Sequence, residues 1–379
     1  MKSIIHTLLP AFLSVLLCGC HSSTQTKTYA DSIYTPAHAF GFSILRADND
    51  SSVIIEVYNP WQGAAGVTER LLIDRSGGRL DLPDVTARIT GSARRVVVMS
   101  STAVAMLDAI GKSSYIVGVS GLRFISTQSV AGRGEAIKDV GYDGNIDYET
   151  LIALKPDIVI VYGVGGPSTM KQKLNEAGIP IFYLADYLEQ SPLGKAEWMI
   201  ALGEIVGERA AAQQRFNEIV PKYEAVKQLA ANSACRQPLV MLNTPYGDSW
   251  FMPGHGSYQV KLIEDAGGKY IYDDAPADAS TVAVDMESAY LMTAKADMWI
   301  NVGDFAGINA LTNALPKMAG TPVVKRGDVY SNTARSTPDG GNDYYESAIV
   351  NPHLVLRDLV KIFHPEAVAE EFTYYRQLK

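Results

Sequence analysis

Cysteine and histidine are scarce in this chain of 379 residues, with three of the first and six of the second. Cys18 and Cys20 fall within the first twenty residues, and only Cys235 stands in the body, where it is expected as a structural thiol at the edge of the second half. The body therefore has no internal disulfide to draw on and must be held by buried apolar cores. Histidine is missing from residues 94–190, and beyond the first twenty residues only His21, His38, His255, His353 and His364 occur. A bare-zinc site, which draws several such ligands together, is not expected. Basic charge is short as well: 33 Lys and Arg face 41 Asp and Glu, a net charge of −8. With no basic stripe and no polybasic tail, nucleic acid is excluded as a partner.

The chain has 47% hydrophobic and 20% charged residues, enough for sizeable cores and two domains. Its start reads as an export signal over residues 1–19: Lys2 precedes an apolar stretch from Ile4 to Leu17 that His6, Thr7, Pro10 and Ser14 interrupt. That stretch is too short and too broken to span a membrane. Leu17-Cys18-Gly19-Cys20 resembles a bacterial lipobox, which implies cleavage before Cys20 and a lipid on its thiol, with residues 20–38 as a tether.

One phrase occurs twice. Asp147-Tyr148-Glu149, followed by Leu151, Lys155, Pro156, Asp157 and the apolar Ile158-Val159-Ile160, has a counterpart in Asp285-Met286-Glu287, Leu291, Lys295, Ala296, Asp297 and Met298-Trp299-Ile300. A helix with an acidic start feeds a buried strand in both halves, and the separation is too long for a solenoid. Two similar lobes, each presenting a glutamate at the same place, predict a two-sided partner.

Around this repeat the predicted fold is α/β. Residues 39–93 read as a β extension with β-branched Val53 to Tyr58, and residues 94–191 alternate apolar strands with helices, the grammar of a parallel sheet covered on both faces. Residues 192–234 carry apolar positions at helical spacing and form a bridge that Pro221 is expected to kink or break. Residues 235–379 resume the strand–helix alternation as a second lobe. Two lobes joined by a helical bridge suit a ligand held between them.

Residues 94–365 resemble the substrate-binding lipoproteins of ABC importers for iron chelates and cobalamin. The resemblance rests on Leu107-x-x-Ile110-Gly111, Ile116-Val117-Gly118-Val119, Asp139-Val140-Gly141 and Glu149-x-x-x-x-Leu154-Lys155-Pro156-Asp157-Ile158-Val159-Ile160. It implies no enzyme activity and no cofactor of the protein's own. It implies instead a monomeric, lipid-anchored, envelope-facing carrier that passes a metal chelate, iron- or cobalt-bearing, to a dimeric permease with its ATPase. By motif position, Glu149 and Glu287 are the residues that dock on the permease; rigid carboxylates accept bidentate bonds from arginines.

The cleft is expected among loops that follow the carboxyl ends of strands. These loops hold Arg123, Phe124, Tyr142 and Tyr162 in the first lobe, and Tyr246, Trp250, Phe251, His255, Tyr258, Phe305 and Arg335 in the second. Aromatics there would stack on a chelate and arginines would meet its carboxylates or phenolates. Val140-Gly141-Tyr142 ahead of Glu149 also resembles the haem binders of the family, which implies iron ligation by Tyr142 with His255 facing it. Ferric siderophore, haem and cobalamin all stay open, although Asp143 stands where the cobalamin binder has tryptophan. An exported tetrapyrrole- or metal-handling enzyme on the same scaffold, and a sensor without a permease, are the rivals from other classes. Gly163-x-Gly165-Gly166-Pro167-Ser168-Thr169 lacks the marks of a phosphate loop, Gly118-x-Ser120-Gly121 is not a nucleophile elbow, and Asp339 to Asp343 reads as a polar turn.

Overall fold

A computed structural model describes residues 31–47, 51–77, 80, 82, 84–142, 144–163, 166, 169–233, 236–277 and 279–379. The export signal, the lipobox Cys20, most of the tether, Asp143 and Cys235 lie outside the described residues.

The chain begins with a five-stranded sheet in sequential order, β1 (Ser32–Tyr34), β2 (Phe42–Arg46), β3 (Val53–Tyr58), β4 (Thr68–Asp74) and β5 (Ala87–Thr90). Alternation along β3 assigns the two faces: Val53, Ile55 and Val57 join the main core, while Ile54 packs with Leu72 and Leu82 in a small outer cluster. The sheet reaches further back than the sequence predicts, and residues 32–38 are not a free tether. Buried Glu197 explains this, because its carboxylate accepts from the Tyr34 hydroxyl at 2.6 Å and from the backbone N–H groups of Ala37, His38 and Ala39 at 2.9, 2.8 and 2.7 Å. Glu189 does the same for Phe40 and Gly41 and also takes the Trp198 indole N–H at 2.8 Å.

The first lobe contains β6 (Val96–Val98), β7 (Ile116–Val119), β8 (Lys138–Asp139), the hairpin β9 (Gly141–Tyr142) with β10 (Asn145–Ile146), β11 (Ile158–Val161) and β12 (Ile181–Tyr183). Its parallel sheet runs β12-β11-β6-β7-β8, so the order reverses at β6. Every residue of β11 is buried, as a strand covered on both faces requires. The second lobe has β13 (Leu239–Leu242), β14 (Trp250–Pro253), β15 (Lys269–Tyr270), β16 (Thr281–Val284), β17 (Met298–Ile300), β18 (Val329–Ser331) and β19 (Arg376–Gln377). Its sheet runs β15-β13-β17-β18-β19 with only β19 antiparallel, and β14 pairs with β16 as a separate ribbon.

Helices Pro192–Glu197, Met199–Ile205 and Arg209–Ser233 join the lobes. The break in this bridge falls at Gly207, whose φ of 78° suits glycine. Pro221, expected to kink or interrupt the bridge, lies inside a helix assigned without a break over 25 residues. That helix packs along Pro352–Phe363, and Tyr223 donates to buried Asp265 at 2.8 Å. Extension, lobes and bridge share one continuous apolar core.

Removing the Glu197 carboxylate leaves four part-buried donors unpaired, each costing up to roughly 1–3 kcal/mol. Glu197→Ala should therefore lower unfolding free energy by about 3 kcal/mol or more in urea titration and expose residues 32–41 to protease. An unchanged midpoint would mean that the extension is held by its apolar face alone.

Candidate functional site

In doubly wound sheets a ligand sits beyond the carboxyl ends of the strands where strand order reverses. The two lobes bring such ends together around a cavity of about 420 Å³. From the first lobe come Ser101, which follows β6, and Ser120, Phe124 and Ile125, which follow β7. Ser100 caps the helix Ser101–Ala109 through Thr102 N–H. The turn after β7 is set by Asp139, whose carboxylate accepts from Gly121, Leu122 and Gly141 N–H at 3.1, 2.8 and 2.9 Å. The second lobe supplies Gly303 and Asp304 after β17 and Asn332, Thr333 and Ser336 after β18, then a returning segment through Gly341, Tyr345 and Glu346.

That segment touches the opposite lobe. The Glu346 carboxylate, almost fully buried, accepts from Ser126 N–H at 2.8 Å and Thr127 N–H at 2.7 Å. Burial pushes its pKa up, and the N–H groups oppose that shift by favouring the charged form. Ser101 donates to the Tyr345 carbonyl at 3.1 Å. Gly341 is required by proximity, since a Cβ there would lie 2.2 Å from the Phe124 carbonyl oxygen.

Of the aromatics and arginines singled out from sequence, Phe124 lines this cavity, and Arg123 covers its ring at 4.5 Å. Arg335 is ion-paired to buried Asp343 at 2.7 Å, and Phe305, half-buried, gives its carbonyl to Arg376 at 2.6 Å. Tyr162 follows β11 and is exposed; in the second lobe Tyr246, between β13 and β14, and Phe251, on β14, are exposed as well. Trp250 is a correction: it is fully buried, donates its indole N–H to the Leu242 carbonyl at 2.8 Å, and packs on Trp299. Strand β14 alternates, and Trp250 has the inward position while Phe251 has the outward one. Tyr258 lines a separate, smaller hollow beneath the Lys195 ammonium, which stands 4.6 Å from its ring; burial raises its hydroxyl well above the usual value. Tyr142 is exposed on the β9–β10 hairpin, and His255 meets the Asp273 carbonyl at 3.0 Å with its ring edge-on to Tyr270. Neither lines the cavity, so the Tyr142–His255 ligand pair is not assembled here.

The hydroxyl and amide residues Ser101, Asn332, Thr333 and Ser336, and the carboxylates Asp304 and Glu346, are not among the cleft residues expected from sequence, and Ser120 enters there only as part of a rejected nucleophile elbow. Runs such as Met99-Ser100-Ser101-Thr102 and Ser331-Asn332-Thr333 were the available signal: small polar residues immediately after a buried strand. A larger hollow of about 590 Å³ lies at the opposite, amino ends of the second sheet. Four of its charged residues are paired with one another, Arg236 with Asp297 and Arg326 with Asp328.

The repeated phrase has a structural and an exposed part. Asp147 caps Tyr148–Ala153 through Thr150 N–H, and Asp285 caps Met286–Lys295 through Glu287 and Ser288 N–H. Those bonds hold both caps below the usual carboxylate range. Asp157 accepts from Arg94 and Arg95 N–H ahead of β6, and Asp297 from Leu239 N–H at the start of β13, so each ties its strand to the first strand of its lobe. Leu151 and Leu291 are not equivalent: Leu151 is buried and matches Ala289, whereas Leu291 is exposed on a helix four residues longer. Glu149 and Glu287 are both exposed, and their carboxylates have no hydrogen-bond or ion-pair partner among the described residues. Exposed Ile152 and Tyr290 stand three residues beyond them.

Two doubly wound sheets facing across a cleft and linked by helices define a two-lobed solute-binding protein. Residues 96–335 match the family described as Periplasmic binding protein, and the chain belongs to that family. An uncharacterized lipoprotein of Methanocaldococcus jannaschii is 26% identical over 293 residues, covering 74% of this chain and 67% of that protein. A vitamin B12-binding protein of Vibrio campbellii is 29% identical over 133 residues, 33% of this chain and 44% of that one. The chain thus spans about two thirds of the first relative and under half of the second. A periplasmic haem-binding protein from Pseudomonas aeruginosa shares the fold, with a TM-score of 0.59 at 19% identity over 76% of this chain and 98% of that one. Among the described residues no helix is long and apolar enough to cross a membrane.

Glu346→Ala removes the acceptor for two interlobe N–H groups. Stability in urea should fall by roughly 2–4 kcal/mol, and the radius of gyration from X-ray scattering should rise. Unchanged scattering would show that the lobes are held by the bridge alone.

Proposed function

We propose that this chain is the substrate-binding component of an ABC importer, capturing a metal chelate in the cleft and delivering it to the permease. Family membership supports binding rather than catalysis. The observation that carries the importer reading is the pair of exposed, unpartnered carboxylates, Glu149 and Glu287, held at matching helix starts by duplicated aspartate caps. A helix start by itself would account for one glutamate through the helix dipole. Two at like positions in two lobes fit a partner with paired basic contacts. Export and a lipid on Cys20 would keep the carrier, as a monomer, beside that partner. The M. jannaschii relative bears the name lipoprotein.

The cargo is read as a chelate bearing iron or cobalt, and the protein needs no cofactor of its own. Haem and vitamin B12 are the ligands named for the relatives, and a ferric siderophore belongs to the same class. A second reading is a cobalamin cargo, the ligand named for the V. campbellii relative.

Glu149→Ala combined with Glu287→Ala should leave chelate affinity within about twofold and reduce uptake through the cognate permease by tenfold or more, since each desolvated charge pair contributes more than about 1.4 kcal/mol. Uptake that survives the double variant would remove the importer reading's main support.

A further inference from the structure

We propose, on the premise of that binding role, that the N-terminal β extension is a working part of the cleft: residues Pro60 to Gln62 preset the first lobe's turn after β11 for ligand, with Trp61 and Tyr187 as positioning residues. The extension lies outside residues 96–335, the span that matches the family. It nevertheless reaches the carboxyl end of the first sheet. Strand order reverses at β6, whose neighbour on one side is β11, with Val98 pairing to Ile160. Ser101, which follows β6, lines the cavity, so the residues that follow β11 stand beside it where a doubly wound sheet meets its ligand. The repeat points to the same place independently. Ile158-Val159-Ile160 corresponds to Met298-Trp299-Ile300, which makes Gly163 the counterpart of Gly303, and Gly303 lines the cavity.

The two lobes hold these equivalent turns by different means. In the second, the Ser331 hydroxyl of the adjacent strand β18 donates to the Gly303 carbonyl at 2.7 Å. In the first, β12 takes the place of β18, and the Gly163 carbonyl accepts instead from the Tyr187 hydroxyl, which also accepts from Gln62 N–H at 3.1 Å. One hydroxyl therefore ties the turn to the extension. Trp61 is buried, pairs with Gly163 as an isolated parallel bridge, and sets its ring edge-on to Tyr183 at 5.4 Å between centroids. The contact is close: a Cβ on Gly163 would lie 3.1 Å from Trp61 Cβ and 3.2 Å from the Pro60 carbonyl oxygen. Further on, Glu69 of β4 pairs with Lys171 at 2.5 Å, on the helix Thr169–Glu176 that follows the turn. A backbone fixed before the ligand arrives loses less entropy on binding. Released from the extension, the turn would have to be ordered by the ligand itself.

The test is calorimetric titration of the full mature chain and its variants with haemin, cyanocobalamin and a ferric tris-catecholate, beside urea unfolding. Tyr187→Phe, which keeps the ring and removes both bonds, and Trp61→Ala should each weaken the probe that the unaltered chain binds by about tenfold and speed amide exchange at Tyr162 and Gly163. Trp61→Phe, which retains an aromatic ring against Tyr183, should hold affinity within about twofold. Unchanged affinity in both Tyr187→Phe and Trp61→Ala, whether or not the urea midpoint falls, would make the extension a stabilising element alone; it overturns the inference and leaves the importer reading standing. If the unaltered chain binds none of the three probes, both fall together.

Discussion

A carboxylate that gathers backbone N–H groups from another segment is the interaction on which the assembly of this chain depends. Glu197 and Glu189 fasten the N-terminal extension to the bridge, Asp157 and Asp297 tie strands within the lobes, and Glu346 crosses from one lobe to the other. Asp358 repeats the device at the C-terminus, accepting from Thr373, Tyr374 and Tyr375 N–H. Each of these bonds is charge-assisted and satisfies backbone N–H groups that the sheets and helices leave over. In a body with a single cysteine, such clips give the apolar core its register across segment boundaries, where apolar contact alone has no direction.

Desolvation sets the cost of this arrangement. Burial raises the pKa values of Glu189, Glu346 and Asp358, and the N–H groups around them pull the other way. The stability these groups contribute in neutral form is complete below their unfolded values and declines as pH rises through the raised folded values. The caps Asp147 and Asp285 have the opposite sign, contributing above the unfolded value and losing it as pH falls. The same chemistry recurs at the cleft, where the Glu346 carboxylate that joins the lobes also lines the cavity.

Much of this was legible in the sequence, for stated reasons. Continuous apolar runs such as Ile158 to Val161 announce strands buried on both faces, and the twin Asp-x-Glu phrase announces twin lobes. Matching the phrase by letter goes one step too far: Lys155 stands six positions after Glu149 and Lys295 eight after Glu287, so Leu151 is paired with Leu291 instead of Ala289. Trp250 looked like a loop residue because Gly and Pro surround it, yet a short ribbon with period two decides which of Trp250 and Phe251 is buried. The cavity wall was the least visible part. Hydroxyls and amides carry no periodicity, and the contact between Glu346 and residues 126–127 spans about 220 positions.

Ligand is expected to enter between the carboxyl ends of the two sheets. Hydrogen exchange of the full mature chain, with and without a bound chelate, addresses it most directly. Protection is predicted at residues 120–127 and 332–346, on both sides of the cavity. Protection confined to the amino-end hollow around Arg236 and His364, or spread over one lobe only, would contradict it.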